Sequence, residues 1–340
     1  FDKDAWVPGS KVVYRKNTAY VPRSEPASYA AGGKRVHVDT VEWIYIPDAA
    51  TTMNALVAGE IDFWESPAVD LVPSMEGNAD ITIKVIDPLG TQGWLRPNHL
   101  NPPFDNPKAR QALTHMVNQE DYLRAIIGDE KFWSTCPAYF MCGTPLDTDI
   151  GSEALVNQDL EKAKALLKEG GYNGETLILM DPTDIPVLHG ASLVTAQMLR
   201  DIGAKVEVQA MDWSTLTSRR AERKSIADGG WNIFHTYSTG ADVSSPIANI
   251  GISGGCVEKA WFGWPCDRDG PDSLEGLRDA FSEESDPVKQ KAIATKLQAR
   301  AYEVVPYVNY GQWFQPTAYR SSLKGVLISP VPFFWNIELN

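Results

Sequence analysis

Between Thr176 and Tyr237 the hydrophobic pattern of the chain alternates between two periods. Thr176-Leu-Ile-Leu-Met reads as a strand. His189 to Ile202 reads as a helix, with Leu193, Ala196, Met198 and Leu199 apolar and Gly203 closing it. Lys205-Val-Glu-Val-Gln is again a strand, Trp213 to Lys224 a basic helix, and Trp231-Asn-Ile-Phe-His-Thr-Tyr a strand. Strands that alternate with helices of this length predict βαβ units and a mainly parallel sheet. The fold class is therefore α/β.

The rest of the chain can be placed around that run. Asn106 caps a helix with Pro107 at its first position, where the missing N–H costs nothing. Ala109, Ala112, Leu113, Met116 and Val117 then form one apolar face. Asn118 caps a second helix, with Tyr122, Ala125 and Ile126 inward. Upstream, Lys11 to Arg15 is a strand, and Val36 to Ile46 alternates as a half-buried strand should. Asp48 caps a helix that Gly59 stops, and Ile61 to Trp64 is a short strand, so this stretch reads as a β-α-β unit. Phe132 to Leu146 is a hairpin-like insert. Asn157 caps a periodic helix ended by Gly170 and Gly171. Residues 237–273 read as irregular. Pro287 to Val304 is a long helix, Val305 to Tyr310 a strand, and Val326 to Ile328 a further strand.

A length of 340 residues favours two domains over one core. The net charge of −13 argues against nucleic acid and against docking on anionic lipid. No apolar run approaches the roughly eighteen residues of a membrane span. Phe1-Asp-Lys-Asp does not begin a signal peptide, as in a mature secreted chain. The four cysteines form two close pairs, Cys136 with Cys142 and Cys256 with Cys266. An even count at short spacing suits two local disulfides in an oxidising compartment, with free thiols and metal as competing readings. The spacings are not those of zinc ligands, and the histidines lie far off in sequence, so no metal site is expected.

Catalytic punctuation is missing. The sequence has no G-x-x-x-x-G-K-[ST], no G-x-G-x-x-G after a strand, no G-x-S-x-G and no H-E-x-x-H. Acidic pairs such as Glu283 with Glu284 read as solvated surface rather than a glycosidase dyad. A non-enzymatic binder without a cofactor is favoured, with a secreted two-lobed hydrolase as the rival reading.

Several motifs, in order, resemble the peptide/nickel-type (family 5, dipeptide/oligopeptide-like) solute-binding proteins of ABC importers. They are the opening Trp6-Val-Pro-Gly hairpin, the Ala58-Gly-Glu-Ile-Asp unit, and Asn101-Pro-Pro-Phe-Asp-Asn leading into Arg110-Gln-Ala-Leu. The Ala163 to Tyr172 helix and the later βαβ run follow in the family's order. The resemblance implies a two-lobed periplasmic-binding-protein type II fold with hinge crossovers. Lobe one would hold residues 1–92 plus 317–340, and lobe two residues 93–316. The opening hairpin normally lies well inside such a protein, so the first lobe is expected to be incomplete. The implied function is capture of a peptide-like or other small polar solute, outside the cytoplasm, in the interlobe cleft. The implied partners are that solute and a membrane ABC permease, with the protein a monomer. A ligand-sensing module for a receptor needs the same features.

The resemblance also nominates ligand-binding residues. Gln92 and Trp94 lie at the first crossover, where Trp94 is either a ligand contact or a core tryptophan. The loop Tyr237 to Pro246 resembles one that supplies an acid to a ligand's α-amine. Ser245 stands before Pro246 here, and Asp242 is the only acid in the loop. Asp242 either caps a turn or takes over the charge role. Trp313 and Phe314 lie at the return crossover, as ligand contacts or as interdomain packing. His235, inside an apolar strand, reads as a core histidine.

Overall fold

The computed structural model describes residues 1–257 and 262–339. In chain order its strands are β1 (Lys11–Arg15), β2 (Thr40–Ile44), β3 (Phe63–Trp64), β4 (Ile81–Val85), β5 (Thr91–Pro97), β6 (Trp133–Ser134), β7 (Thr176–Pro182), β8 (Lys205–Met211), β9 (Ile233–Thr239), β10 (Val308–Trp313), β11 (Pro316–Arg320), β12 (Leu323–Lys324) and β13 (Glu338–Leu339). The chain divides into two compact units, Phe1–Gly90 with Phe314–Asn340, and Thr91–Trp313.

The second unit is built on a six-stranded sheet in the order β6-β10-β5-β9-β7-β8. β7 runs parallel to β8 and β9, as the alternating periods predict. The expectation of a mainly parallel sheet fails beyond them, because β5 is antiparallel to both β9 and β10. The reason is where the chain enters. β5 comes in from the first unit at the edge where β7, β8, β9 and β10 end, so it must run against them.

Local signals placed the helices well. Asn106 accepts from Lys108 N at the head of Pro107–Met116, whose Ala109, Ala112, Leu113 and Met116 are buried. Asn118 caps Gln119–Ile126 in the same way. The helix expected from His189 begins earlier, as Pro186–Asp201, because Pro186 occupies its first turn. The helix Leu160–Glu169 is capped by Asp159, which accepts from Lys162 N, and not by Asn157. Asn157 instead ends the short preceding helix Glu153–Val156. Phe132 to Leu146 is not a hairpin: β6 pairs with β10, and a disulfide ties the rest. Both expected disulfides are present, Cys136–Cys142 and Cys256–Cys266.

The first unit is a set of smaller sheets. β1 pairs with β2, β12 with β13, and β3-β11-β4 form a three-stranded sheet. The stretch read as a β-α-β unit is not one, because β2 and β3 lie in different sheets. β3 finds its partner in β11, about 250 residues downstream, a pairing that local pattern cannot show. β2 is also shorter than the alternation suggested, and residues 326–328 form no strand. The core here joins Leu56, Met75, Ile81 and Ala318.

Candidate functional site

The carboxyl edge of the six-stranded sheet gathers most of the residues singled out in the sequence. Thr91, which opens β5, pairs with Thr239 at the end of β9 and with Trp313 at the end of β10. Ligands of open α/β sheets meet the carboxyl ends of strands, where loops converge on a rigid frame.

One face below this edge is sealed around a cation. Arg96 is fully buried and donates to Phe262 O (2.6 and 2.9 Å) and Gly251 O (3.0 Å). Its guanidinium lies 5.1–5.4 Å from the rings of Trp94, Phe262 and Tyr307. Burial pushes its pKa down to about 9. Trp94 stacks on Tyr307 at 4.6 Å and donates from Nε1 to Gln92 Oε1 at 2.9 Å. Tyr307 donates to the same oxygen at 3.0 Å, and Gln92 Nε2 donates to Ala138 O. Gln92 and Trp94 are thus interior residues, 0% and 3% exposed, with their polar atoms bonded within the unit.

The opposite face is covered by the helix Pro186–Asp201. His235 Nε2 lies 2.8 Å from Thr195 Oγ1, and its Nδ1 lies 3.3 Å from Ser192 Oγ. Burial lowers the His235 pKa to about 3. This is a base beside hydroxyls, as the hydrolase reading requires. Yet His235, Ser192 and Thr195 are all fully buried, so no substrate reaches them. An aromatic run leads from here to the edge. Tyr122 stacks on Tyr310 (5.0 Å), Tyr310 on Trp313 (6.3 Å), and Trp313 meets Tyr237 edge-on at 5.8 Å. Gly93 makes this possible, since a Cβ there would lie 2.0 Å from the Tyr310 ring. Trp313 is buried, whereas Tyr237 is 45% exposed.

Beyond β9 the chain turns through a short helix, Gly240–Val243, capped by Thr239. Asp242 accepts from Thr239 Oγ1 (2.9 Å) and Ser238 Oγ (3.3 Å), while its N–H donates to Thr239 Oγ1. The carboxylate is exposed, and it has no ion-pair partner among the described residues. Ser245 is half-buried and accepts from Ile247 N in the following turn. Phe314 is half-buried and opens the segment that returns to the first unit.

Sequence reasoning missed a further pair at this edge. His189 Nδ1 lies 2.8 and 3.0 Å from the carboxylate oxygens of Asp181. An acid at a strand's end, followed by a histidine in the next helix's first turns, was the available signal. The first unit holds a separate cavity of about 410 Å³, lined by Tyr14, Trp43, Phe333, Phe334 and Trp335 with Lys34. No group of three or more potential metal ligands occurs among the described residues.

Comparison with known proteins fixes the family. The model of the bacterial extracellular solute-binding proteins, family 5 (middle region), matches residues 1–260. The chain belongs to this family. The probable peptide ABC transporter periplasmic-binding protein y4tO of Sinorhizobium fredii is 37% identical across 99% of this chain and 63% of its own length. The glutathione-binding protein GsiB of Pectobacterium atrosepticum is 28% identical over 58% of this chain and 38% of its own. The chain thus spans less than two thirds of the length of these relatives.

Solved structures share the fold. The ABC transporter-associated periplasmic binding protein DppA of Helicobacter pylori, in complex with the peptide STSA, superposes with a TM-score of 0.77 at 23% identity, covering 98% of this chain and 61% of that one. AgaA of Agrobacterium tumefaciens R10, in complex with agropinic acid, gives 0.76 at 20% identity, covering 98% and 65%. The α/β fold of the periplasmic binding proteins expected from sequence is therefore the fold observed.

Proposed function

We propose that this chain is the solute-capturing part of an extracytoplasmic receptor for an ABC importer, and that its solute is a peptide-like molecule bearing an amine. Family 5 membership supports import over catalysis. The peptide-transport name of its 37%-identical relative supports the solute class. The partners are then the solute and a membrane permease, the location is periplasmic, and the protein acts as a monomer without chemistry of its own.

The observation that carries the reading is Asp242. It is an exposed carboxylate held by Ser238 and Thr239, with no cation beside it among the described residues. A fixed carboxylate without a counter-ion is suited to pair with a ligand ammonium. Tyr237, on the strand that leads into this loop, offers an exposed aromatic surface backed by the buried Trp313. Gln92 and Trp94 support the strand from inside, and Ser245 shapes the loop's exit.

Calorimetry with trialanine and its N-acetylated form tests this. Asp242→Ala is expected to weaken the free-amine peptide more than about tenfold, ~1.4 kcal/mol, and to leave the acetylated one unchanged. Unchanged affinity for the free amine would remove Asp242 from the site.

A further inference from the structure

A carboxylate at the surface pairs weakly with an ammonium when its side chain and its loop must be ordered to meet it. Where the carboxylate is already held in place, that cost falls away. What holds Asp242 therefore decides how well it can tell one solute from another. On the entry side the loop leaves the sheet through β9, and Ser238 and Thr239 donate to the carboxylate. The exit side has no strand. Ile247 and Ala248 are exposed, and the next regular element is a single turn, Ile250–Ile252.

Two side chains fasten this exit. Asn249 is buried, and its backbone N–H donates to Ser245 O at 2.9 Å, three residues after Asp242. Its Nδ2 donates to Tyr139 O (3.0 Å) and to Oη of Tyr307 (3.3 Å), the ring that stacks on Trp94. Its Oδ1 accepts from Gly251 N at 2.9 Å. Gly251 allows this close approach, since a Cβ there would lie 2.6 Å from the Tyr307 ring. Arg278 comes from the helix Leu274–Glu283. Its Nε donates to Pro246 O at 3.0 Å and its Nη2 to Ile247 O at 3.4 Å. Its Nη1 donates to Glu275 Oε1 at 2.7 Å, and that oxygen also accepts from Ser253 Oγ and Gly254 N. The Arg278–Glu275 pair thus clasps both ends of the stretch 246–254, and Asn249 pins its middle to the aromatic interior.

We propose that Asn249 and Arg278 are positioning residues for solute recognition: they lock the exit of the Asp242 loop, so that the carboxylate meets a solute ammonium in a fixed place. This rests on the reading that Asp242 takes the amine. Neither residue touches the solute. Losing either one frees the segment after Asp242, and binding the amine must then order it again. A solute without the amine does not use Asp242 and is indifferent to the change.

The test is calorimetry with trialanine and its N-acetylated form on Arg278→Leu and Asn249→Ala, each alone and each combined with Asp242→Ala. Alone, each should weaken trialanine about fivefold and leave the acetylated peptide unchanged. Combined with Asp242→Ala, neither should weaken trialanine further, because a positioning residue acts only through the group it positions. A general loosening of the fold would weaken both peptides alike and would persist without Asp242. Arg278 is only partly buried, so its variant keeps the test open if Asn249→Ala does not fold. Unchanged trialanine affinity in Arg278→Leu, equal weakening of both peptides, or an undiminished loss in the Asp242→Ala background overturns the inference, while the effect of Asp242→Ala alone still supports the amine reading. If Asp242→Ala alone leaves trialanine binding unchanged, the amine reading falls and this inference with it.

Discussion

The two units of this chain hide their aromatic residues to very different degrees. In the second, Trp231 and Tyr310 are fully buried, Trp94 and Trp313 are 3% exposed, and every residue of β10 is buried. In the first, Trp6, Trp43 and Tyr45 are 50%, 43% and 68% exposed, and four of the five residues of β2 face solvent. Strand number explains much of the contrast. A central strand of a six-stranded sheet has neighbours on both edges and layers on both faces. A two-stranded pair such as β1–β2 has neither and is marginal by itself. Rigidity should follow the same division. The sheet whose carboxyl edge leads into the loop of Asp242 is the better-packed part, as the proposed site would need.

The strongest way to break this comparison is to attack the buried cation. Arg96→Ala removes donors from Phe262 O and Gly251 O and empties an aromatic box. We expect the second unit to lose about 3 kcal/mol, measured by denaturant unfolding. A loss below about 1 kcal/mol would mean that this interior is no more demanding than the first unit.

Acid should reveal the same interior more gently. The pKa of His235 is about 3 in the folded chain against an ordinary 6.5. Between these values the unfolded chain takes up a proton that the folded chain refuses, so stability falls as pH drops through this window and is flat above it. At most ~1.4 kcal/mol is lost per pH unit, or about 2 kcal/mol by pH 5. Thermal melts of the wild type and His235→Asn should diverge below about pH 6.5. Parallel curves would show that His235 is not held neutral.

The smallest effect belongs to the first unit. Trp43→Ala should change stability by no more than about 0.5 kcal/mol in the same denaturation assay, despite the size of the side chain. A cost of several kcal/mol would show that the exposed sheet is as tightly held as the sheet around Arg96.

What the sequence disclosed follows the range of the forces involved. Asn106-Pro107 and the apolar face after it are local, and the helix they specify is the one that forms. The cysteine pairs are local too, and both close. The β-α-β expectation around Asp48 failed because β2 and β3 choose partners by sheet geometry far along the chain. The family was legible because its motifs keep their order. The site was legible only in part. The position of Trp94 pointed equally to a ligand contact and to the core, and only its stacking on Tyr307 places it inside. Asp181 and His189 form no motif, and their contact shows only in the fold.

The central claim is that the carboxyl edge of the second unit's sheet receives the solute. Hydrogen exchange read by mass spectrometry, with and without saturating trialanine, tests it most directly. The account predicts added protection at residues 91–93, 237–245 and 311–313. Protection confined to residues 14–17, 40–43 and 332–335, around the cavity of the first unit, would contradict it.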